Sequence, residues 1–383
     1  MTIVLFWAAA LALYAAITEL GRRRGVIPVV SQLAAATFIL PAAVYFGVTP
    51  ATGLHGRDLV APDWVRLLYS LNFSVLLGCI LADVADVRVS RASLRIALPS
   101  FTVPLAVGIA TATLLLPQAD WSTRVAVGLL FSITAIPVLY LYLKGIGYPA
   151  QDTRRLVHAA ILMDMACWSL FALTQGAAAP EKLLWPVLCG LSPLLLHYVI
   201  RVRRPALYGL VFLLLIFVMD RYRLNAMVFG ILYVAAVGLM RQPFALPASR
   251  RVITAFQNHL AVPLTLTFGV VQIDFDHAFA HYTPWHLAGL LVLPVASKMA
   301  GNWIGLKWAH PDMPAGQRRR ETVLLNIRGL TEIVFLNLLF QHGIIDATLY
   351  FSIMLMGLAS TLLPAITGAA RARRFAALSP DPS

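Results

Sequence analysis

Apolar residues run along the whole chain in blocks of roughly twenty, separated by short polar connections. A bilayer core about 30 Å thick needs roughly 20 apolar residues per helix. Blocks of this kind cover 3–20, 27–46, 64–84, 95–116, 123–146, 154–178, 183–200, 205–220, 223–240, 252–273, 284–306, 319–342 and 345–366. In lipid, each segment must satisfy its own backbone polar groups, so these blocks predict helices. The pattern therefore predicts an all-α polytopic membrane protein with about 13 transmembrane helices. The block 183–200 is short, and Asp220, Arg221 and Arg223 mark a tight turn between 205–220 and 223–240.

Composition agrees with this reading. Of 383 residues, 60% are hydrophobic and 12% charged, too little polar surface for a soluble domain of this size. The net charge of +13 would point to nucleic acid in a soluble protein, but here the basic residues sit in alternate connections. Odd-numbered connections carry Arg22 to Arg24; Arg88, Arg91 and Arg95; Lys144, Arg154 and Arg155; Arg201, Arg203 and Arg204; Arg241, Arg250 and Arg251; and Lys307 with Arg318 to Arg320. The C-terminal tail adds Arg371, Arg373 and Arg374, while even-numbered connections hold far fewer basic residues. This asymmetry predicts an N-terminus outside and a C-terminus in the cytoplasm, in a cytoplasmic (inner) membrane. The first block lacks a basic leading region and is followed by Arg22 to Arg24, so it reads as a retained helix rather than a signal peptide. Cys79, Cys167 and Cys189 lie far apart inside apolar blocks and have no metal spacing. With no glycine-rich phosphate loop, metal cluster or nucleophile triad, the sequence offers no enzyme chemistry and calls for no cofactor.

Four ionisable residues fall well inside apolar blocks: Asp164, Lys298, Arg328 and Glu332. Each costs about 2.5–3.5 kcal/mol at a helix centre on insertion scales, and such residues face a cavity or pair with one another. At a rise of about 1.5 Å per residue, Asp164 lies about 15 Å from the level of Arg154, and Lys298 about 14 Å from that of Lys307. Thr134 lies midway between Arg124 and Lys144. Three separate segments thus bring polar groups near the midplane, where Asp164 and Lys298 could form a structural ion pair or an ion site.

Two blocks are interrupted at the same depth. Pro137 has no N–H and clashes with the carbonyl four residues back, which frees that of Ile133 beside the hydroxyls of Ser132 and Thr134. Freed backbone at membrane depth is tolerated where it lines a cavity or is buried in protein, and discontinuous helices of this sort bind ions in transporters. A plain proline kink would leave the same trace. In the second block Gly329 weakens the helix beside Arg328, and Arg328 and Glu332 stand four residues apart, able to neutralise each other on one face.

At these residues the chain resembles the monovalent cation:proton antiporter superfamily, most closely its second family, which includes the plant cation/proton exchangers and their bacterial relatives. The stretch Ser132-Ile133-Thr134-Ala135-Ile136-Pro137-Val138-Leu139 resembles one broken-helix motif of that family, and Asn326-Ile327-Arg328-Gly329-Leu330-Thr331-Glu332-Ile333 resembles its later one. Ala296 to Gly301 is similar to its lysine helix, Val262 to Gly269 with Asp274 to a further segment, and Gly343 to Pro364 to its closing helix. One departure stands out. The family's acidic helix carries two adjacent acidic or polar residues before a tryptophan. Here, aligned on Trp168, Asp164 takes the second position and Met163 the first.

The resemblance implies an inverted-repeat antiporter fold with two crossing discontinuous helices. It implies dimer or panel helices over 1–85 and 205–275, a core ion-transport bundle over 90–180 and 282–370, a linking helix at 183–203 and a cytoplasmic tail at 371–383. It further implies a homodimer that exchanges Na⁺ or K⁺ for protons. Asp164 would carry cation and proton in turn, assisted by oxygens of Ser132, Ile133 and Thr134. Lys298 would balance charge, and Pro137, Arg328, Gly329 and Glu332 would hold the broken helices. By depth alone, Asp164 is also the expected partner of Lys298, directly or through a bridging water. Two alternatives stay open on the same scaffold: a transport-altered or silent homologue, because the first acidic position is Met163, and a cation channel or uniporter.

Overall fold

The computed structural model describes residues 2–24, 26, 28–84, 90–178, 181–201, 204–222, 224, 226–240, 250–273 and 284–367. Arg88, Arg203, Arg223, Arg241, Asp274 and the tail from Arg371 onward lie outside the described residues. All regular structure among the described residues is helical.

The chain opens with α1 (Thr2–Arg23) and α2 (Val30–Thr52), the latter loosened by π-helical turns at Ala35–Ile39 and Val44–Val48. A short helix, Gly56–Val60, leads into α3 (Asp63–Val84). Next come α4 (Arg91–Leu115), α5 (Trp121–Ser132), α6 (Ile136–Gly145) and α7 (Ala150–Ala178). Then follow α8 (Glu181–Gly190, continued as Ser192–Tyr198), α9 (Pro205–Arg221) and α10 (Ala226–Leu239). Helix α11 comprises Arg250–Phe256, a π turn at Gln257–Ala261, and Val262–Val271. The chain closes with α12 (Pro284–Ala309), α13 (Ala315–Leu324), α14 (Leu330–Gln341) and α15 (Ala347–Ile366). Helix therefore lies under every apolar block. Five helical stretches are long and apolar enough to cross a membrane by length and composition: Thr2–Arg23, Val30–Thr52, Arg91–Leu115, Trp285–Ala309 and Ala347–Pro364.

Two interruptions replace single long helices. Between α5 and α6, Ile133 to Ala135 leave the helix, and between α13 and α14, Leu325 to Gly329 do so. The first break falls where proline chemistry requires it. Pro137 becomes the second residue of α6, a position where its missing N–H would have no helical partner in any case.

Packing groups the helices around α4. This helix lies against α5, α7 and α12, and α12 in turn against α13 and α15. The approach of α12 to α4 is set by glycine. A Cβ on Gly301 would come within 2.5 Å of the Pro99 carbonyl oxygen, and one on Gly305 within 2.5 Å of that of Ile96. Small residues on one face let helix backbones approach this closely in membranes. Elsewhere α8 packs on α10, α9 on α3, and α11 on α3 and α14.

Helix starts are capped as the sequence allows. The Asp120 carboxylate accepts the Thr123 N–H at 2.8 Å, holding the first turn of α5. The hydrogen bonds from Thr123 hold its carboxyl below the usual range. A depressed carboxylate pKa stabilises above the unfolded-state pKa and ceases to do so as pH falls through the folded one. Asp120→Ala is expected to cost about 1 kcal/mol, the ordinary value of an N-cap. Asp120→Asn should keep most of the cap while flattening the acid side of the stability profile. Thermal unfolding in detergent at neutral and acidic pH checks both.

Candidate functional site

The two breaks meet. The Ala135 N–H donates to the Ile327 carbonyl at 3.1 Å, so the extended segment of one interrupted helix hydrogen-bonds to that of the other. Four helix ends therefore converge in the interior: the C-termini of α5 and α13 and the N-termini of α6 and α14.

A helix C-terminus leaves carbonyls without donors and carries partial negative charge. At α5 two buried cations meet them. Arg328 donates through Nη1 to the Leu130 carbonyl and through Nη2 to that of Phe131 at 2.6 Å. Lys298 Nζ donates to the next carbonyl, that of Ser132. Both side chains are fully buried. The end of α13 is covered by neutral donors instead: the Asn326 carbonyl accepts from Ser360 Oγ, and the Arg328 carbonyl from Thr361 Oγ1 at 2.7 Å.

Two acids balance the two cations. Glu332 Oε1 accepts from Arg328 Nη1 at 2.9 Å, with both side chains inside the protein. Gly357 makes room for this carboxylate, because a Cβ there would come within 2.6 Å of Glu332 Oε2. Asp164, 1% exposed on α7, faces the break before α6, where its Oδ1 accepts the Thr134 N–H at 3.4 Å. The Thr134 hydroxyl is buried beside it without a hydrogen-bond partner, an oxygen available to a ligand. One turn along α7, Trp168 packs edge-on against Phe335 at 4.8 Å and fixes the acidic helix against α14.

The structure distributes the predicted site residues as follows. Asp164 and Thr134 are brought together. Ile133 lies in the break with extended backbone, and Pro137 has no N–H to give its carbonyl. Ser132 contributes a carbonyl to Lys298, while its own hydroxyl donates to the carbonyls of Phe101 and Gly128 at 3.0 and 2.9 Å. Arg328 and Glu332 pair, and Gly329 closes the second break. Lys298 has partners that depth alone does not single out. An ammonium has three N–H donors, and here they meet the Ser132 carbonyl, the Ser100 carbonyl at 3.1 Å and Met163 Sδ at 3.4 Å. Ser100 was not singled out from sequence. Its signal was Pro104, four residues on in α4, which cannot donate to the Ser100 carbonyl and so leaves it for another donor.

A second polar cluster, also unforeseen, lies at the end of the molecule that carries the basic connections. Arg155 at the start of α7 grips the fully buried Glu321 of α13 through Nη2 at 2.7 and 2.8 Å, and Tyr148 donates to the same carboxylate at 2.8 Å. This cluster ties the acidic helix to a half of the second broken helix.

No family model matches the chain. Among characterised proteins it is similar to cation/H(+) antiporter 19 of Arabidopsis thaliana, with 26% identity over 337 residues, 80% of this chain and 41% of the relative. Cation/H(+) antiporter 17 of the same plant gives 26% identity over 340 residues, 80% of this chain and 40% of the relative. Among solved structures, the sodium proton antiporter MjNhaP1 from Methanocaldococcus jannaschii superposes with a TM-score of 0.61 over 97% of this chain and 96% of that one, at 14% identity. Over four fifths of its length the chain is thus similar in sequence to proteins named cation/H(+) antiporters, and its fold is like that of a solved sodium proton antiporter. It is a multi-pass membrane protein with an antiporter-like helical fold. It spans about two fifths of the length of the plant relatives it matches.

Proposed function

We propose that the protein exchanges a monovalent cation for protons across a membrane, with Asp164 as the group that holds either one. The observation that carries this reading is the placement of the buried Asp164 carboxylate at the meeting of two broken helices, facing the Thr134 N–H and an unpartnered Thr134 hydroxyl. Hard oxygen donors of this kind suit an alkali cation. Because the cation and proton both bind a carboxylate, they compete for it, and competition at one site is what couples their opposite movement. The plant relatives are named as cation/H(+) antiporters and the solved neighbour as a sodium proton antiporter, which supports the same reading.

In this proposal the basic connections face the cytoplasm. Helices α4 to α7 and α12 to α15 form the moving core, α8 links its halves, and α1 to α3 with α9 to α11 form the panel through which two copies pair. Lys298 and Arg328 hold the broken end of α5 rather than touch the ion. The exchange moves Na⁺ or K⁺ across a cytoplasmic membrane.

Purified protein in proteoliposomes loaded with a pH-sensitive dye tests the proposal. Addition of Na⁺, K⁺ or Li⁺ in turn is expected to dissipate a preformed proton gradient for at least one of them. Absence of cation-dependent proton movement with all three would refute antiport, and cation uptake without proton movement would identify a uniporter or channel.

A further inference from the structure

The seam between α12 and α13 holds buried polar side chains that antiport at Asp164 does not use. Thr322 lies in the last turn of α13, and Asn326 follows just past its end. On α12, Asn302 stands one turn from Lys298 toward the end that carries the basic connections. All three are buried, at 3%, 0% and 0% exposure. Asn302 Nδ2 donates to the Thr322 carbonyl at 3.1 Å, which sets the two helices face to face. The other polar atoms of the row, Asn302 Oδ1, Thr322 Oγ1 and both side-chain atoms of Asn326, have no hydrogen-bond partner. An unsatisfied buried polar atom costs about 1–3 kcal/mol, and native interiors hold few of them. Polar side chains that merely glue membrane helices would bond to each other across the seam, whereas these are left open along it.

We propose that the α12–α13 seam is a file of water that connects the crossing of the broken helices to the basic end of the molecule. Its existence stands on these side chains; its role in exchange rests on the antiport reading. Buried water satisfies polar groups of this kind with two to four hydrogen bonds each, and it needs a polar lining, which the row supplies. The inner end reaches the site. Asn326 precedes Ile327, whose carbonyl binds the Ala135 N–H next to Thr134. Beyond the file's outer end, Gln317 of α13 lines a cavity of about 340 Å³ together with Arg155, His310 and Asp312, among others. Arg155 Nε and His310 Nε2, both lining it, are again buried without a partner. Burial, with Arg155 nearby, holds the His310 imidazole below the usual histidine range, so that it stays neutral at pH 7 and keeps one ring nitrogen as an acceptor. From Gln317 to Asn326 the helix rises about 14 Å, the depth estimated for the site.

A collar stands between cavity and row. The Arg318 guanidinium lies 5.4 Å from the centre of the Trp303 ring and donates through Nη2 to the carbonyls of Pro311 and Met313 at 2.8 and 3.0 Å. A fixed positive charge in a narrow passage opposes metal cations and lets water through. The file therefore delivers water to the crossing and removes it as the cation binds and leaves, without carrying the cation itself.

The test uses the full chain in detergent, with Cys79→Ser and Cys189→Ser removing two thiols and the buried Cys167 retained as an internal reference. In this background Thr322→Cys is treated with methyl methanethiosulfonate and followed by mass spectrometry. The introduced thiol is expected to react much faster than Cys167, and a bulky maleimide is expected to react at neither. Equal, slow modification at both positions would overturn the file. Hydroxyl-radical footprinting of the wild type gives a reading that needs no variant. Residues 321–326 should oxidise more than the equally buried stretch 125–131 of α5, and equal protection would likewise overturn it. For its role, Thr322→Val should slow exchange severalfold with the apparent cation affinity unchanged. A parallel loss of affinity would place the cation in the row and refute the assignment to water. A wild type without exchange would defeat the antiport reading, while the labelling would still decide the file.

Discussion

Asp164→Asn is expected to abolish cation-dependent proton flux, down to the level of protein-free vesicles, while the protein still purifies as a folded species. The substitution preserves size and leaves an amide oxygen to accept the Thr134 N–H that Asp164 Oδ1 accepts now. What it removes is the only property that exchange needs from this side chain, a charge that can be neutralised by either a proton or a cation. An amide binds neither in competition with the other. The effect is therefore on transport rather than on folding, and it should be all or nothing rather than a shift in affinity. Dye-monitored flux paired with size-exclusion profiles before and after heating separates the two. Flux in the variant equal to wild type would remove Asp164 from the mechanism.

The second large effect concerns folding. Arg328→Leu is expected to destabilise the protein by about 3–5 kcal/mol, the range for breaking a buried ion pair by deleting one partner. Two losses combine. Glu332 is left as an uncompensated charge inside the protein, and the Leu130 and Phe131 carbonyls at the broken end of α5 lose their donor. Glu332→Gln is expected to be milder, because the arginine keeps both carbonyls and the glutamine oxygen can still accept from Nη1. The double variant Arg328→Leu with Glu332→Gln should recover only the part due to the stranded carboxylate. Detergent unfolding of the three variants measures this order. A Glu332→Gln variant as unstable as Arg328→Leu would show that the ion pair, not the helix cap, holds the break.

Much of this arrangement was readable from the chain because lipid makes backbone chemistry explicit. Pro137 cannot donate, and Gly329 weakens a helix beside a buried charge, so both breaks could be placed within a few residues. Applied to Pro104, the same reasoning would have singled out the Ser100 carbonyl that Lys298 now binds. That Lys298 would also meet Met163 was not legible, for a geometrical reason. Depth along a helix fixes one coordinate, whereas adjacent residues point about 100° apart around its axis. Met163 and Asp164 share a depth and differ in direction, and the ammonium meets Met163. The Arg155–Glu321–Tyr148 cluster was invisible for another reason. Its charges lie at segment ends, where they read as topogenic, and only the packing of α7 near α13 brings them inside. The π turns in α2 and α11 did have a local signature that the reading of the chain left unused: each ends two residues before a proline, Pro41, Pro50 or Pro263, which cannot donate to the preceding turn.

The glycine contact between α12 and α4 has a mechanical consequence. Where a backbone sits on a backbone, there is no layer of side chains to shear, so the two helices behave as a single beam. Gly301 and Gly305 weld α12 to the stretch of α4 that ends at Ser100. Lys298 and the Ser100 carbonyl it binds lie on opposite members of that beam. Any twist applied at the Lys307 end thus reaches the ammonium without slack, and the lysine keeps its grip on α5 through whatever excursion the bundle makes.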